Sequence, residues 1–241
     1  MLPWNVEDLT FDEARFTGDV RLFPLPDLVM FPHVVQPLHI FEPRYRDMLN
    51  EALDGDGLLA MAILAPGWQD NYEGRPALLP HLCVGKVVTH HRLDDGRYNL
   101  MLLGMRRGRI VAERPATKSF REAEVVLLDD AYPDAGEPHR AALQQSLALA
   151  FQRALPLTDE AQAEGPMKEL LTSDVPLGVL TDLVSFALPL NRKLKQELLG
   201  EVDVDRRARL LLDAMGKPLV KSTPIDAAKT RLDYPPRFSA N

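Results

Sequence analysis

Residues 21–53 read RLFPLPDLVMFPHVVQPLHIFEPRYRDMLNEAL. An apolar strand opens the stretch at Arg21–Leu25, and Pro24 and Pro26 end it. The apolar run up to Phe31 and Pro32 is bracketed by prolines and reads as a loop. Residues 34–41 read as a second strand, in which Pro37 marks an edge or a bulge because proline has no N–H to give to a ladder. Pro43 stands at a plausible first helical position, where its missing N–H costs nothing. Tyr45, Met48, Leu49 and Leu53 then fall on one helical face.

Outward from this stretch, the first half of the chain continues as strands. Leu58–Leu64 is a short apolar run. Leu82–Leu93 and Tyr98–Met105 flank Asp94, Asp95, Gly96 and Arg97, and Asp-Gly between apolar segments signals a hairpin whose two central residues take positive φ. Arg109–Ala112 and Ala123–Leu128 supply two more strands. Six or seven short strands around one helix imply a small antiparallel barrel or sandwich. Residues 65–80, with three prolines and two glycines, read as a mobile loop.

The second half changes period near Tyr132–Pro138. Leu143, Leu147, Ala150, Phe151 and Ala154 follow a helical stripe that Pro156 ends. Ala161–Leu171 is a weaker helix candidate, interrupted by Gly165 and Pro166. Asp174–Leu188 is the next, with Asp174 as cap and Pro176 in its first turn. Asn191 can cap a helix running to Leu199, and Asp203 can cap a last one that Gly216 and Pro218 stop. Four or five helices with short connections predict a compact bundle. The fold class expected is therefore α+β, with an extension at 1–19, a β-barrel over 20–130, a helical bundle over 138–216 and a tail at 217–241.

Composition narrows the function classes. Hydrophobic residues make up 46% of the 241 and charged residues 26%, the balance of an ordinary globular domain. No apolar run approaches the roughly 20 residues of a membrane-spanning helix. A single cysteine, Cys83, and an acidic N-terminus without a signal-peptide pattern make the cytoplasm the expected compartment. A net charge of −7 opposes general attraction to phosphate backbones, so nucleic acid is not an expected partner. Residues 217–241 run against that balance at +3, and read either as a solvated extended tail or as a partner-binding arm.

The order L-F-P-L-x-x-x-V-x-F-P-x-x-x-x-P-L-x-I-F-E-P-R-Y-R-x-M-L in residues 22–49 resembles the start of the Lon N-terminal domain family. LCVGKVVTHHRLDDGRYNLMLLGMRRGRI and LTDLVSFALPLNRKLKQELLGEVDVDRRARLLLDAM are similar to that family's hairpin and helical half. The resemblance covers roughly residues 20–216. It implies a PUA-like β-barrel with one inserted helix followed by a helical bundle, and a role in contacting unfolded or tagged polypeptide. In full Lon proteases this domain is attached to an ATPase and a Ser–Lys peptidase.

Neither of those chemistries is legible here. Gly85-Lys86 and Gly216-Lys217 lack the preceding glycine and the following Ser or Thr of a phosphate loop. None of the six serines lies in G-x-S-x-G. His90 and His91 point to opposite faces of a strand, His33 and His39 are too far apart to chelate, and one cysteine cannot build a zinc site, so no metal and no cofactor are expected. Asp94-Asp95 and Asp129-Asp130 read as turn carboxylates bonded to local backbone. Arg106, Arg107 and Arg109 read either as structural arginines or as an RNA-binding cluster.

What remains is a surface. Met30 and Phe31 in the proline-bracketed loop, and Phe41, Glu42, Arg44 and Tyr45 at the strand–helix corner, are the candidate polypeptide-binding residues. The alternative for Phe31 and Phe41 is that they plug the barrel core. Glu42 and Arg44 are expected at the surface. The leading expectation is a non-catalytic binding module, an adaptor or chaperone-like protein linked to proteolysis, whose partners include a protease or chaperone. An RNA-binding barrel and an enzyme with an unrecognised site are its rivals.

Overall fold

The computed structural model describes residues 10–154 and 175–216. Six strands come first: β1 (Asp19–Leu25), β2 (Val35–Ile40), β3 (Leu58–Ile63), β4 (His81–Arg92), β5 (Tyr98–Glu113) and β6 (Arg121–Leu128), with helix α1 (Pro43–Asp54) between β2 and β3. Helices α2 (Glu137–Ala154), α3 (Leu177–Ala187), α4 (Arg192–Gly200) and α5 (Val204–Gly216) follow. The helix candidate at Ala161–Leu171, the Asp174 cap and the tail at 217–241 lie outside the described residues.

The sheet order is β2-β5-β4-β3-β1-β6, and β6 pairs back onto β5. Five strands therefore close into a barrel, and β2 lies outside the ring, paired only with the first half of β5. Pro37 sits in that edge strand, opposite Met101. The expectation of an antiparallel barrel needs one correction: β1 and β3 pair in parallel, from Leu22 against Ala60 to Leu25 against Ile63. A parallel pair needs a long crossover, and β2 with α1 is that crossover. Arg109–Ala112 is likewise the far end of β5 rather than a separate strand; β5 bends at an irregularity between Ile110 and Ala112.

At the β4–β5 hairpin only Gly96 takes positive φ, at 80°, so the connection is a turn plus glycine bulge and not the two-residue mirror turn. Gly96 N–H donates to Leu93 O at 2.9 Å, and Leu93 N–H to Arg97 O at 2.8 Å. The 65–80 segment, expected to be mobile, is tied at its base by Ala65 N–H to Ala77 O and Leu79 N–H to Ile63 O, both 2.8 Å.

Strand alternation sorts the core into two. Val20, Leu22, Ala60, Ala62, Leu82, Val84, Ala123 and Val125 fill the barrel interior, where a five-stranded ring leaves room for small side chains. The opposite faces of the same strands, with Phe23, Leu59, Met61 and Ile63, meet α1 and the helices in a second, larger cluster. Tyr45, Met48, Leu49 and Ala52 are the buried face of α1. The helices cap at the expected residues: Asn191 Oδ1 accepts from Leu194 N–H at 2.9 Å, and Asp203 Oδ1 from Asp205 and Arg206 N–H at 2.9 and 3.1 Å.

Candidate functional site: an apolar cleft at the strand–helix corner

The chain leaves β2 at Ile40 and enters α1 at Pro43, so Phe41 and Glu42 form a corner. Glu42 occupies the N-cap position but its side chain does not cap the helix. Its carboxylate instead accepts from Arg44 Nε at 2.9 Å and from the Tyr72 hydroxyl at 2.7 Å. The Arg44 guanidinium lies 4.8 Å from the ring centres of both Tyr45 and Tyr72. Glu42 and Arg44 were expected as exposed charges; their side chains are only 17% and 21% exposed. The reason is Tyr72, which arrives from the 65–80 segment thirty residues on and draws both charges inward.

Beside this corner runs a cleft of about 320 Å³. Phe41, Glu42 and Tyr45 line it, together with Leu38 and Ile40 of β2 and with Leu25, Pro26 and Leu28 at the end of β1. Its far wall is held by the helical half: Arg192 of α4 donates to Pro26 O at 2.8 Å and stands 3.6 Å from Asp27. The lining is dominated by carbon, and Phe41, Leu28 and Leu38 are half-buried, which is the state of side chains that still have surface to give.

The six candidate residues thus divide. Phe41, Glu42 and Tyr45 meet at the cleft. Arg44 props the corner from behind, against the two tyrosines. Met30 and Phe31 are fully buried in the larger core and present no surface to a partner, which corrects their placement at the contact surface. Their loop is stitched onto β5 through Gly104: His33 N–H donates to Gly104 O and Gly104 N–H to Val34 O, both at 2.8 Å. A Cβ at Gly104 would stand 2.1 Å from Phe31 O, so only glycine permits this approach. Leu25, Pro26, Leu28 and Leu38 were missed as cleft residues. The signal available was the apolar run interrupted by prolines, but which side of it faced outward depended on α4.

A second polar centre joins the barrel to the helices. Arg107 of β5 is 2% exposed; its Nη1 donates to Leu198 O and Leu199 O, each at 3.2 Å, its Nη2 to Asp182 of α3, and its Nε lies 3.3 Å from Asp130. Arg207 of α5 donates from both Nη atoms to the two oxygens of Asp130 and from Nε to Thr181. Asp130 is therefore not a local turn carboxylate, as expected, but a tertiary one. Burial pushes its carboxyl up, and Arg207 and Arg107 more than offset this, so it titrates below the ordinary range. Burial dominates at Asp182, whose carboxyl is raised despite Arg107 and Arg207. Arg106 pairs with Glu13 and Asp129. Two of the three clustered arginines are thus held by acids, which removes most of the positive face that an RNA reading requires. Asp182 had one legible signal: it is the sole charged residue in α3.

No group of three or more His, Cys, Asp or Glu side chains among the described residues is arranged to hold a metal ion. No helix among them is long and apolar enough to cross a membrane.

Comparison with known proteins places this geometry. Residues 19–217 match the family described as the ATP-dependent protease La (LON) substrate-binding domain. The chain is 29% identical over 199 residues to Lon protease 2 of Desulfotalea psychrophila, covering 82% of this chain and 25% of that protein. It is 25% identical over 197 residues to Lon protease of Escherichia coli K12, covering 82% of this chain and 24% of that one. The chain thus spans about a quarter of the length of these relatives. Among solved structures, the N-terminal domain of Mycobacterium avium complex Lon protease superposes with a TM-score of 0.63 at 21% identity, covering 83% of this chain and 98% of that one. The Lon N-terminal domain protein from Xanthomonas campestris does so with a TM-score of 0.57 at 23% identity, covering 81% and 97%. These two likenesses concern the fold.

Proposed function

Because this chain belongs to the Lon substrate-binding domain family, we propose that it is a recognition module that captures apolar segments of unfolded or tagged polypeptides and carries no bond-breaking chemistry of its own. The observation that carries this reading is the apolar cleft at the Phe41–Tyr45 corner. An extended segment places side chains on alternate sides, and a cleft of about 320 Å³ accommodates one or two large apolar side chains of such a segment. Affinity would come from apolar contacts with Leu28, Leu38 and Phe41, and their burial of carbon surface sets no strict sequence requirement. A protease or chaperone that receives the captured segment is the natural partner, and linkage to proteolysis follows from the family.

The β2 edge offers no rival route by strand addition. Pro37 removes a backbone donor from that edge, and Gln36 Nε2 donates to Pro37 O at 2.9 Å, which occupies the adjacent acceptor.

The test is fluorescence anisotropy of a labelled, reduced and carboxymethylated lactalbumin titrated with the full chain. Saturable binding that Phe41→Ser weakens about tenfold is the expected result, since an anchor at the centre of a contact surface carries ~1 kcal/mol or more. Absence of saturable binding, or an unchanged isotherm for Phe41→Ser, would overturn the assignment to this cleft.

A further inference from the structure

Ahead of β1, residues 10–16 run as a strap across the end of the barrel at which β1 and β3 begin. A single 3-10 turn, Glu13–Arg15, sets Phe11 and Phe16 beside each other, with ring centres 5.3 Å apart. Both rings are partly buried and pack on the small-residue interior of the barrel. Between them in sequence Glu13 pairs with Arg106 of β5, whose guanidinium also lies 5.6 Å from the Phe11 ring centre. Thr10, Asp12, Glu13, Ala14 and Arg15 are exposed. Two aromatics and an acid thus meet one apolar floor and one cation.

The strap is seated on the barrel by side chains. Its backbone N–H groups turn back on the strap itself: Arg15 N–H donates to Asp12 O and Phe16 N–H to Glu13 O, both at 3.2 Å, and Ala14 N–H to Asp12 Oδ1 at 3.1 Å. The fit is incomplete. A cleft of about 180 Å³ remains between Phe11, Arg15 and Phe16 on one side and Gly55, Leu58 and Lys86 on the other, whereas a finished protein interior keeps few voids larger than a water. The strap joins the barrel at a pivot, Gly18, with φ at 88°, whose carbonyl accepts from Val125 N–H at 2.8 Å. It also precedes Asp19, where the residues shared with the family begin.

We propose that this barrel end is a second docking site, for a polypeptide segment with two aromatic side chains spaced as Phe11 and Phe16 and an acid between them, and that residues 10–16 occupy it in cis as an intramolecular competitor. The chemistry of the partner is read from the segment already seated: rings for the apolar floor, a carboxylate for Arg106. A short tether holds a cis ligand at an effective concentration of about 1 mM. A strap with an intrinsic Kd of about 0.1 mM is then seated about nine-tenths of the time, and its release raises the apparent affinity of a competing segment about tenfold. The site shares no residue with the Phe41–Tyr45 cleft, so either can fail without the other.

The probe is a fluorescein-labelled peptide TFDEARFTG, the sequence of residues 10–18, titrated with the full chain and followed by anisotropy. The double variant Phe11→Ser, Phe16→Ser frees the floor and should bind the peptide about tenfold more tightly than the parent chain. Glu13→Arg sets like charges against Arg106, should release the strap in the same direction, and keeps the proposal falsifiable should the serine variant fail to fold. Arg106→Gln added to either released variant should weaken the peptide about tenfold. A control peptide with serine in place of both phenylalanines should not bind. Equal affinity for parent and released variants, binding of the control peptide, indifference to Arg106→Gln, or loss of fold in both released variants would overturn the proposal, the last by showing that the strap is a fixed part of the barrel core. Released variants that bind no peptide, beside a parent chain that dimerises, would assign the barrel end to a second copy of this chain and likewise overturn it.

Discussion

Arg207 grips both oxygens of Asp130, with Nη1 to Oδ1 at 2.7 Å and Nη2 to Oδ2 at 2.8 Å, and so ties the last helix to the end of the barrel's last strand. The two residues are 77 positions apart, and the guanidinium is fully buried. Two parallel charged bonds fix an angle as well as a distance, so the pair orients α5 as well as anchoring it.

Arg207→Ala should therefore be among the most damaging single substitutions. It leaves Asp130 and Asp182 with one fewer counter-charge in a buried setting, and breaking such a pair costs ~3–5 kcal/mol. Urea denaturation should show a loss of that size. Arg207→Lys should recover only part of it, because an ammonium cannot make the bidentate contact. A loss below ~1 kcal/mol would show that the network is not what holds the halves together.

The same pair sets an acid limb. The folded Asp130 carboxyl titrates below its ordinary value, so it contributes stability above the unfolded pKa of ~3.9 and loses it as pH falls through the folded value. Asp130→Asn should be less stable than the parent chain at pH 7, and the gap should close below about pH 4. Asp182 has the opposite sign: its folded carboxyl is raised, so its contribution is fullest at low pH and diminishes as pH rises. Urea midpoints from pH 7 to pH 3 for Asp130→Asn check the first statement, and a gap independent of pH would contradict it.

Arg44→Ala should lower stability by ~1–2 kcal/mol, through lost stacking on Tyr45 and Tyr72 and a lost charged bond to Glu42. Tyr72→Phe, which removes only the hydroxyl that donates to Glu42, should cost ~1 kcal/mol. Melting curves for both, beside the anisotropy assay, separate propping the corner from touching a ligand. A stable Arg44→Ala variant that loses binding would move Arg44 into the contact surface.

Pro37→Val restores an N–H to the free edge of β2, opposite Met101. Edge strands that regain their donors tend to pair with other chains. Static light scattering at rising concentration should show self-association that the parent chain lacks; identical scattering would mean that Pro37 has no protective role.

Cys83 is fully buried, and burial pushes its thiol well above the ordinary range. Since only the thiolate is nucleophilic, a thiol reagent should leave the folded chain unmodified for as long as it stays folded and modify one site per chain in denaturant. Rapid reaction under native conditions would show that β4 opens locally.

The sequence by itself determined the elements. Proline and glycine positions, strand alternation and helical stripes located α1, the β4–β5 hairpin, the β2 edge and the Asn191 and Asp203 caps, because those features are local and each depends on the few residues beside it. Only the tertiary structure decided what those elements meet. Phe31 and Phe41 look alike in sequence, yet Phe31 is sealed by Gly104 of β5 while Phe41 opens onto the cleft. Glu42 and Arg44 look like surface charges until Tyr72 arrives between the strands. Asp129 and Asp130 look like a turn pair until Arg207 comes from the last helix to claim one of them. β1 and β3 look antiparallel to their neighbours until the crossover through α1 brings them side by side in parallel. In each case the deciding partner lies tens of residues away, and burial and charge pairing are properties of that partner's position in space, which no local pattern carries.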